Sequence, residues 1–172
     1  MGARGWGIVA AVATVVLLID QLSKLLVVRF LGPTGPIEEV VLIPGVLRLF
    51  YVENTGAAFG LFQGRNPVLA TVALLVVVAL AVWFRAVVSW WPGALALGLQ
   101  LGGAVGNLVD RFRRGFVVDF IDFSFWPTFN VADSAITIGV LLLVVLLVWP
   151  DLTRLSTDEA TAKRANAERQ TR

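Results

Sequence analysis

Residues 131–149 read Val131-Ala-Asp-Ser-Ala-Ile-Thr-Ile-Gly-Val-Leu-Leu-Leu-Val-Val-Leu-Leu-Val-Trp149, and Pro150 stops the run. One charge, Asp133, sits near its head, and the rest is almost wholly apolar. A helix needs ~20 such residues to cross ~30 Å of hydrocarbon, so this stretch reads as a membrane span. Three more runs share that character: Gly5 to about Val28, Pro67 to Val88, and Gly93 to about Val109. Composition agrees. The 172 residues are 58% hydrophobic and 15% charged, against about 45–50% and about 25% in soluble domains. The expected fold is therefore a membrane all-α fold of four transmembrane helices. It forms one domain over residues 1–150, followed by a polar, partly helical tail over 151–172 with pairs such as Glu159/Lys163.

The first run invites a signal-peptide reading, because Arg4 precedes it. However, no small-residue cleavage site follows, and apolar character resumes at Leu25–Val28 after Asp20, Gln21, Ser23 and Lys24. Between the first and second runs, Glu39–Ile43 and Val46–Val52 flank Pro44-Gly45 and read as two strands joined by a turn. Ser89-Trp-Trp-Pro92 is a short interfacial turn. Gly98, Gly102 and Gly106 recur every fourth residue, giving the third span a face that another helix can approach closely.

Several chemistries are absent. There is no Cys and no His, which removes disulfides, thiolate nucleophiles, His-assisted serine chemistry and His- or Cys-ligated zinc. No metal and no cofactor is expected. The net charge of +2 is mild and its cations are scattered, which argues against nucleic acid as a partner. Any hydrolysis must then come from carboxylates, Lys, hydroxyls or backbone groups.

Threading four spans through a bilayer brings the unusual polar residues to one membrane face. Asp20 and Lys24 end the first span. Asn107, Asp110 and Arg111 end the third. Asn130 and Asp133 open the fourth, and Asn54 and Asp119 lie in the loops on that side. Ionisable groups in or beside spans are costly and by default mark function. The cations split almost evenly between the two sides, so charge barely decides orientation.

Each feature also has a plainer reading. Asp20 and Lys24, four apart, suit a structural salt bridge, or Lys24 reaching up to headgroups. Asp110-Arg111 suits an ion pair anchoring a helix end. Asn130 and Asp133 suit an N-cap and its reciprocal partner. Asn54-Thr-Gly56 suits a tight turn. Asp119, within Phe116-Val-Val-Asp-Phe-Ile-Asp122, suits a short strand or turn residue, with Asp122 facing solvent. Against this stands the pairing of Asp119 and Asp133 on one side. Two carboxylates at a partly dry site cannot both ionise easily, so one keeps a proton while the other acts as base. Such a pair can activate water and cleave a peptide bond without His, Cys or metal.

The pieces Asp20-Gln-Leu-Ser-Lys24, Asn54-Thr-Gly-Ala-Ala-Phe59, Gly102-Gly-Ala-Val-Gly-Asn-Leu-Val-Asp-Arg111, Val117-Val-Asp-Phe120 and Phe129-Asn-Val-Ala-Asp-Ser134, in this order on a four-span chain, resemble the lipoprotein signal peptidase (signal peptidase II) family of bacterial membrane aspartic peptidases. The resemblance implies removal of signal peptides from diacylglyceryl-modified prolipoproteins, with the cut on the amino side of the lipidated cysteine. By that match Asp119 and Asp133 are the catalytic pair. Asn54, Gly56, Asn107, Asp110, Arg111 and Asn130 shape the site and hold substrate, while Asp20 and Lys24 stabilise the fold. It further implies a small extracytoplasmic β-cradle from residues 29–66, both termini in the cytoplasm, and an outward-facing site in the bacterial inner membrane. Membrane lipid is an implied partner, as are globomycin-type inhibitors. One departure is the stretch from Asp122 to Phe129, shorter than in many members. Two rivals remain: a proton-coupled carrier, whose acids should lie at mid-membrane, often with paired repeats, and a metal-dependent lipid transferase using the Asp cluster.

Overall fold

The computed structural model describes residues 2–56, 66–83, 88 and 90–148. The tail at 151–172, with its expected helical pairs, lies outside the described residues, as do 57–60 of the Asn54 motif. Four helices and four strands follow in the order α1 (Gly2–Leu31), β1 (Glu39–Ile43), β2 (Leu47–Asn54), α2 (Asn66–Trp83), α3 (Trp91–Arg114), β3 (Val117–Phe123), β4 (Trp126–Phe129) and α4 (Val131–Val148). Three of the helices have stretches long and apolar enough to cross a membrane: Arg4–Leu31, Trp91–Arg114 and Val131–Val148. The apolar stretch in α2, Pro67–Leu80, is shorter.

α3 is the central helix, and α1, α2 and α4 all pack on it. Its glycines make this possible. A Cβ on Gly102 would stand 2.7 Å from the Ala13 carbonyl oxygen, and one on Gly98 2.8 Å from Val12 Cβ. On the neighbouring face, Gly103 abuts the Ala132 carbonyl of α4, and Gly139 of α4 abuts the Ala96 carbonyl of α3. With lipid on the outside, such close backbone contact supplies the packing that apolar burial supplies in water. α3 runs past the expected end at Val109. Arg111, Arg113 and Arg114 complement the carbonyl end of the helix. Gly115, at φ +83°, then ends it, donating its N–H to the Arg111 carbonyl.

The β element is larger than residues 29–66. Its sheet is antiparallel in the order β1-β2-β3-β4, so half of it comes from 117–129, a stretch that reads as a loop between spans. The sequence conceals this because β3 lacks clean alternation: Val117 to Phe120 are all buried. Val118 and Phe120 pack with Val27 at the end of α1. The fold is thus mostly helical but not all-α. One irregularity in the sheet positions the site. The register runs Leu49↔Ile121 and then Val52↔Asp119, so β2 carries an extra residue. The bulge brings Asn54 opposite Val117, on the same face of the sheet as Asp119.

Candidate active site

Asp119 and Asp133 line one cavity of about 550 Å³, with Asn54, Gly56, Asn107 and Arg111 also in its wall. Asp119 comes from β3 and is 2% exposed. Asp133 comes from the first turn of α4. Each of their four oxygens accepts one hydrogen bond. Asn54 Nδ2 donates to Asp119 Oδ2 at 2.8 Å, and Asn130 Nδ2 to Asp119 Oδ1 at 2.7 Å. Asn107 Nδ2 donates to Asp133 Oδ1 at 2.7 Å, and the Asn130 backbone N–H to Asp133 Oδ2 at 3.2 Å. The Asp133 N–H returns a bond to Asn130 Oδ1 at 2.9 Å. The capping box is therefore present, and its two side chains also belong to the cavity site.

Behind this pair lies a buried ionic cluster. Lys24 Nζ sits 2.9 Å from both Asp20 Oδ2 and Asp110 Oδ2 and donates to Asn107 Oδ1 at 2.9 Å. Lys24 and Asp20 are fully buried, so Lys24 does not reach headgroups. Its ammonium can face only the oxygen of the Asn107 amide, which turns Nδ2 toward Asp133. Asp20 Oδ1 accepts the Ala132 N–H at 3.0 Å and so serves the start of α4. A Cβ on Gly106 would lie 2.5 Å from Asp20 Oδ2, so glycine is what admits that carboxylate. Asp110 draws its charged contacts from Lys24 and, at 3.8 Å, from Arg114. Arg111 lines the cavity and donates to the carbonyls of Asn107 and Gly56. Gly56 is held in turn by its N–H to Asn54 Oδ1 at 3.0 Å, the tight turn expected there.

Asp122 does not simply face solvent. It accepts from Arg48 Nε at 2.8 Å and from Thr128 at 3.0 Å, tying β2, β3 and β4 together. The stretch from Asp122 to Phe129 forms most of the β3–β4 hairpin, and Trp126, Pro127, Thr128 and Phe129 form one cavity wall. Ile136 and Thr137 of α4 form another part. Sequence reading missed these residues. Pro127 beside aromatic neighbours, just ahead of Asn130, was the available sign of a short edge strand. Gln21, to which the sequence assigns no role, donates through its amide to Asp20, Asp110 and the Gly106 carbonyl.

Burial pushes the Asp119 carboxyl up to about 6, and the negative charge of Asp133 adds to the effect. Hydrogen bonds from Asn54 and Asn130, and the charge of Lys24, oppose it. A proton held near neutrality beside a second carboxylate is the arrangement that acid–base hydrolysis uses. Among the described residues, no group of three or more carboxylates could hold a metal ion.

A family model described as signal peptidase (SPase) II matches residues 12–149. The lipoprotein signal peptidase of Halothermothrix orenii is 40% identical over 136 residues, covering 79% of this chain and 92% of its own. That of Syntrophomonas wolfei is 47% identical over 134 residues, covering 77% and 87%. A solved structure described as a bacterial membrane enzyme, obtained by the in meso method at 2.3 Å resolution, matches with a TM-score of 0.72 and 32% identity. The match covers 83% of this chain and 88% of that one.

Proposed function

The chain belongs to the signal peptidase II family, and on that premise we propose that Asp119 and Asp133 are its catalytic pair. It is a membrane aspartic peptidase that cleaves signal peptides from prolipoproteins. The observation that carries the assignment of the pair is the shared cavity, in which every carboxylate oxygen is already oriented by one N–H donor.

In the reaction, one aspartate holds a proton and the other is ionised. The ionised carboxylate takes a proton from a water molecule as the water oxygen bonds to the scissile carbonyl carbon. The protonated partner gives its proton to the carbonyl oxygen. Collapse of the tetrahedral intermediate restores the C=O bond, breaks the C–N bond and delivers a proton to the departing amine. The local charge count supports a single shared proton. Lys24, Arg111 and Arg114 face Asp20, Asp110, Asp119 and Asp133, and the set is neutral when the pair carries one proton. The titration belongs to the pair.

The substrate is a prolipoprotein bearing diacylglyceryl on its cysteine, cut on the amino side of that residue, with the acyl chains remaining in the bilayer. Asn54, Gly56, Asn107, Asp110, Arg111 and Asn130 shape the site and hold the peptide, while Asp20 and Lys24 stabilise the fold. Residues 1–150 form one peptidase domain of four spans. Both termini lie in the cytoplasm, and the cavity faces outward at the inner-membrane surface. The sheet, including its part from 29–66, is an extracytoplasmic cradle over the cavity. The tail at 151–172 carries none of the motifs.

The test is a gel assay of purified protein with a diacylglyceryl-modified prolipoprotein, with and without globomycin. The expected result is release of a peptide ending just before the lipidated cysteine, blocked by globomycin and unaffected by chelator. Equal cleavage of the unlipidated precursor would contradict the substrate assignment.

A further inference from the structure

The two hairpin turns of the sheet lie side by side: the Ser124 N–H bonds to the Val46 carbonyl at 3.1 Å, and the Ser124 hydroxyl to the Gly45 carbonyl at 2.8 Å. Neither turn carries a charge, from Val40 to Leu47 or from Phe123 to Pro127. Val41, Leu42, Ile43, Val46, Phe125 and Trp126 stand between 41% and 76% exposed. A contiguous apolar tip of this kind on an extramembrane sheet marks an interaction surface. Both faces of the edge strand β1 are involved, since Val41, Leu42 and Ile43 are all exposed. In water, such an edge would pair with other chains.

The patch continues a lipid-facing one. Along α1, Leu18, Leu22, Leu25, Leu26 and Phe30 form an exposed apolar stripe at helical spacing. Ile37, itself exposed, is tied to the end of that stripe by its N–H to the Phe30 carbonyl at 3.0 Å, and β1 follows two residues later. Charges of the sheet gather beside the tip in one ion-paired cluster: Arg48 bridges Glu39 at 2.9 Å and Asp122 at 2.8 Å. An aromatic and aliphatic tip under a belt of ion-paired side chains has the composition of an element seated at the bilayer interface.

We propose that the paired turns around Gly45 and Ser124 insert into the lipid surface, so that the sheet lies against the bilayer. Trp126 belongs both to this tip and to the wall of the catalytic cavity. Lipid contact at the tip thereby holds the cavity wall at the depth where an acylated substrate travels.

The chain has no cysteine, so single spin labels can be placed at Val46→Cys and Phe125→Cys in the full-length protein in phosphatidylcholine/phosphatidylglycerol vesicles. Glu38→Cys serves as the aqueous reference and Leu22→Cys as the lipid reference. All four sites have exposed side chains, which tolerate the change. The expected result is an oxygen-to-nickel-chelate collision ratio at both tip sites several-fold above that of Glu38→Cys and approaching that of Leu22→Cys. A ratio equal to the Glu38→Cys value would overturn the proposal. So would low collision rates with both reagents, which would mean that protein covers the tip. The outcome is independent of the catalytic assignment.

Discussion

Asparagines are the organising side chains of the site. Asn54, Asn107 and Asn130 each donate to the carboxylate of Asp119 or Asp133 and accept a bond through their own oxygen, so each amide is locked in one orientation. This makes the pair's proton affinity a property of its donors. Asp119, raised to about 6, loses its proton as pH rises through that value. The expected kcat/KM therefore falls on the alkaline side with an apparent pKa near 6. In Asn54→Ala, which removes a bond favouring the ionised form, that limb moves to higher pH. A pH–rate profile checks both. The same shift affects folding: a carboxyl that binds its proton more tightly when folded makes stability decrease as pH climbs from about 4 to about 6. Lys24→Met leaves Asp20 and Asp110 buried without their shared cation. Breaking a buried ionic group this way costs about 3–5 kcal/mol, so the variant is expected to show a large fall in Tm in detergent.

At the scale of elements, the helices and the β1–β2 hairpin declared themselves, and the second half of the sheet did not. Long apolar runs fix helices in lipid because no other open segment can satisfy its backbone there. The polar residues at and between their ends then fall on one side, and this is how the meeting of Asp119 and Asp133 in one cavity was legible in the sequence. The β3–β4 hairpin was not, because Val117–Phe120 are buried throughout and the alternation that identifies a strand is lost. The Lys24–Asp20 salt bridge was legible and is present at 2.9 Å, but its other partner was hidden for a related reason. Sequence shows that a Lys lies near a helix end, but not that Asp110, far along the chain, comes to meet it at 2.9 Å. The small-residue stripe was legible, and its purpose can be tested. Gly102→Val forces a side chain against the Ala13 carbonyl and Val16, and overpacking of this kind costs about 1–3 kcal/mol. Gly7→Ala, which meets nothing within 4 Å, is expected to be neutral. Thermal unfolding of the two variants in detergent distinguishes them.

At the scale of the whole molecule, a helical bundle is joined to a four-stranded sheet, and β2, β3, β4, α3 and α4 all contribute to the cavity wall. The proposed topology of four spans with both termini inside predicts that reporter fusions at residues 1 and 172 are active only in the cytoplasm and that a tag in the β1–β2 turn is reached only from outside. A tag reached from the cytoplasmic side would reverse the orientation. The bulge in β2, the capping box of α4 and the Lys24 cluster all bear on the carboxylates of Asp119 and Asp133, the pair proposed to act together. The most direct measurement is turnover of a lipidated prolipoprotein by folded Asp119→Asn and Asp133→Asn proteins. The account predicts that either substitution lowers turnover by about a thousandfold, with the protein still folded. Wild-type turnover in either variant would contradict it.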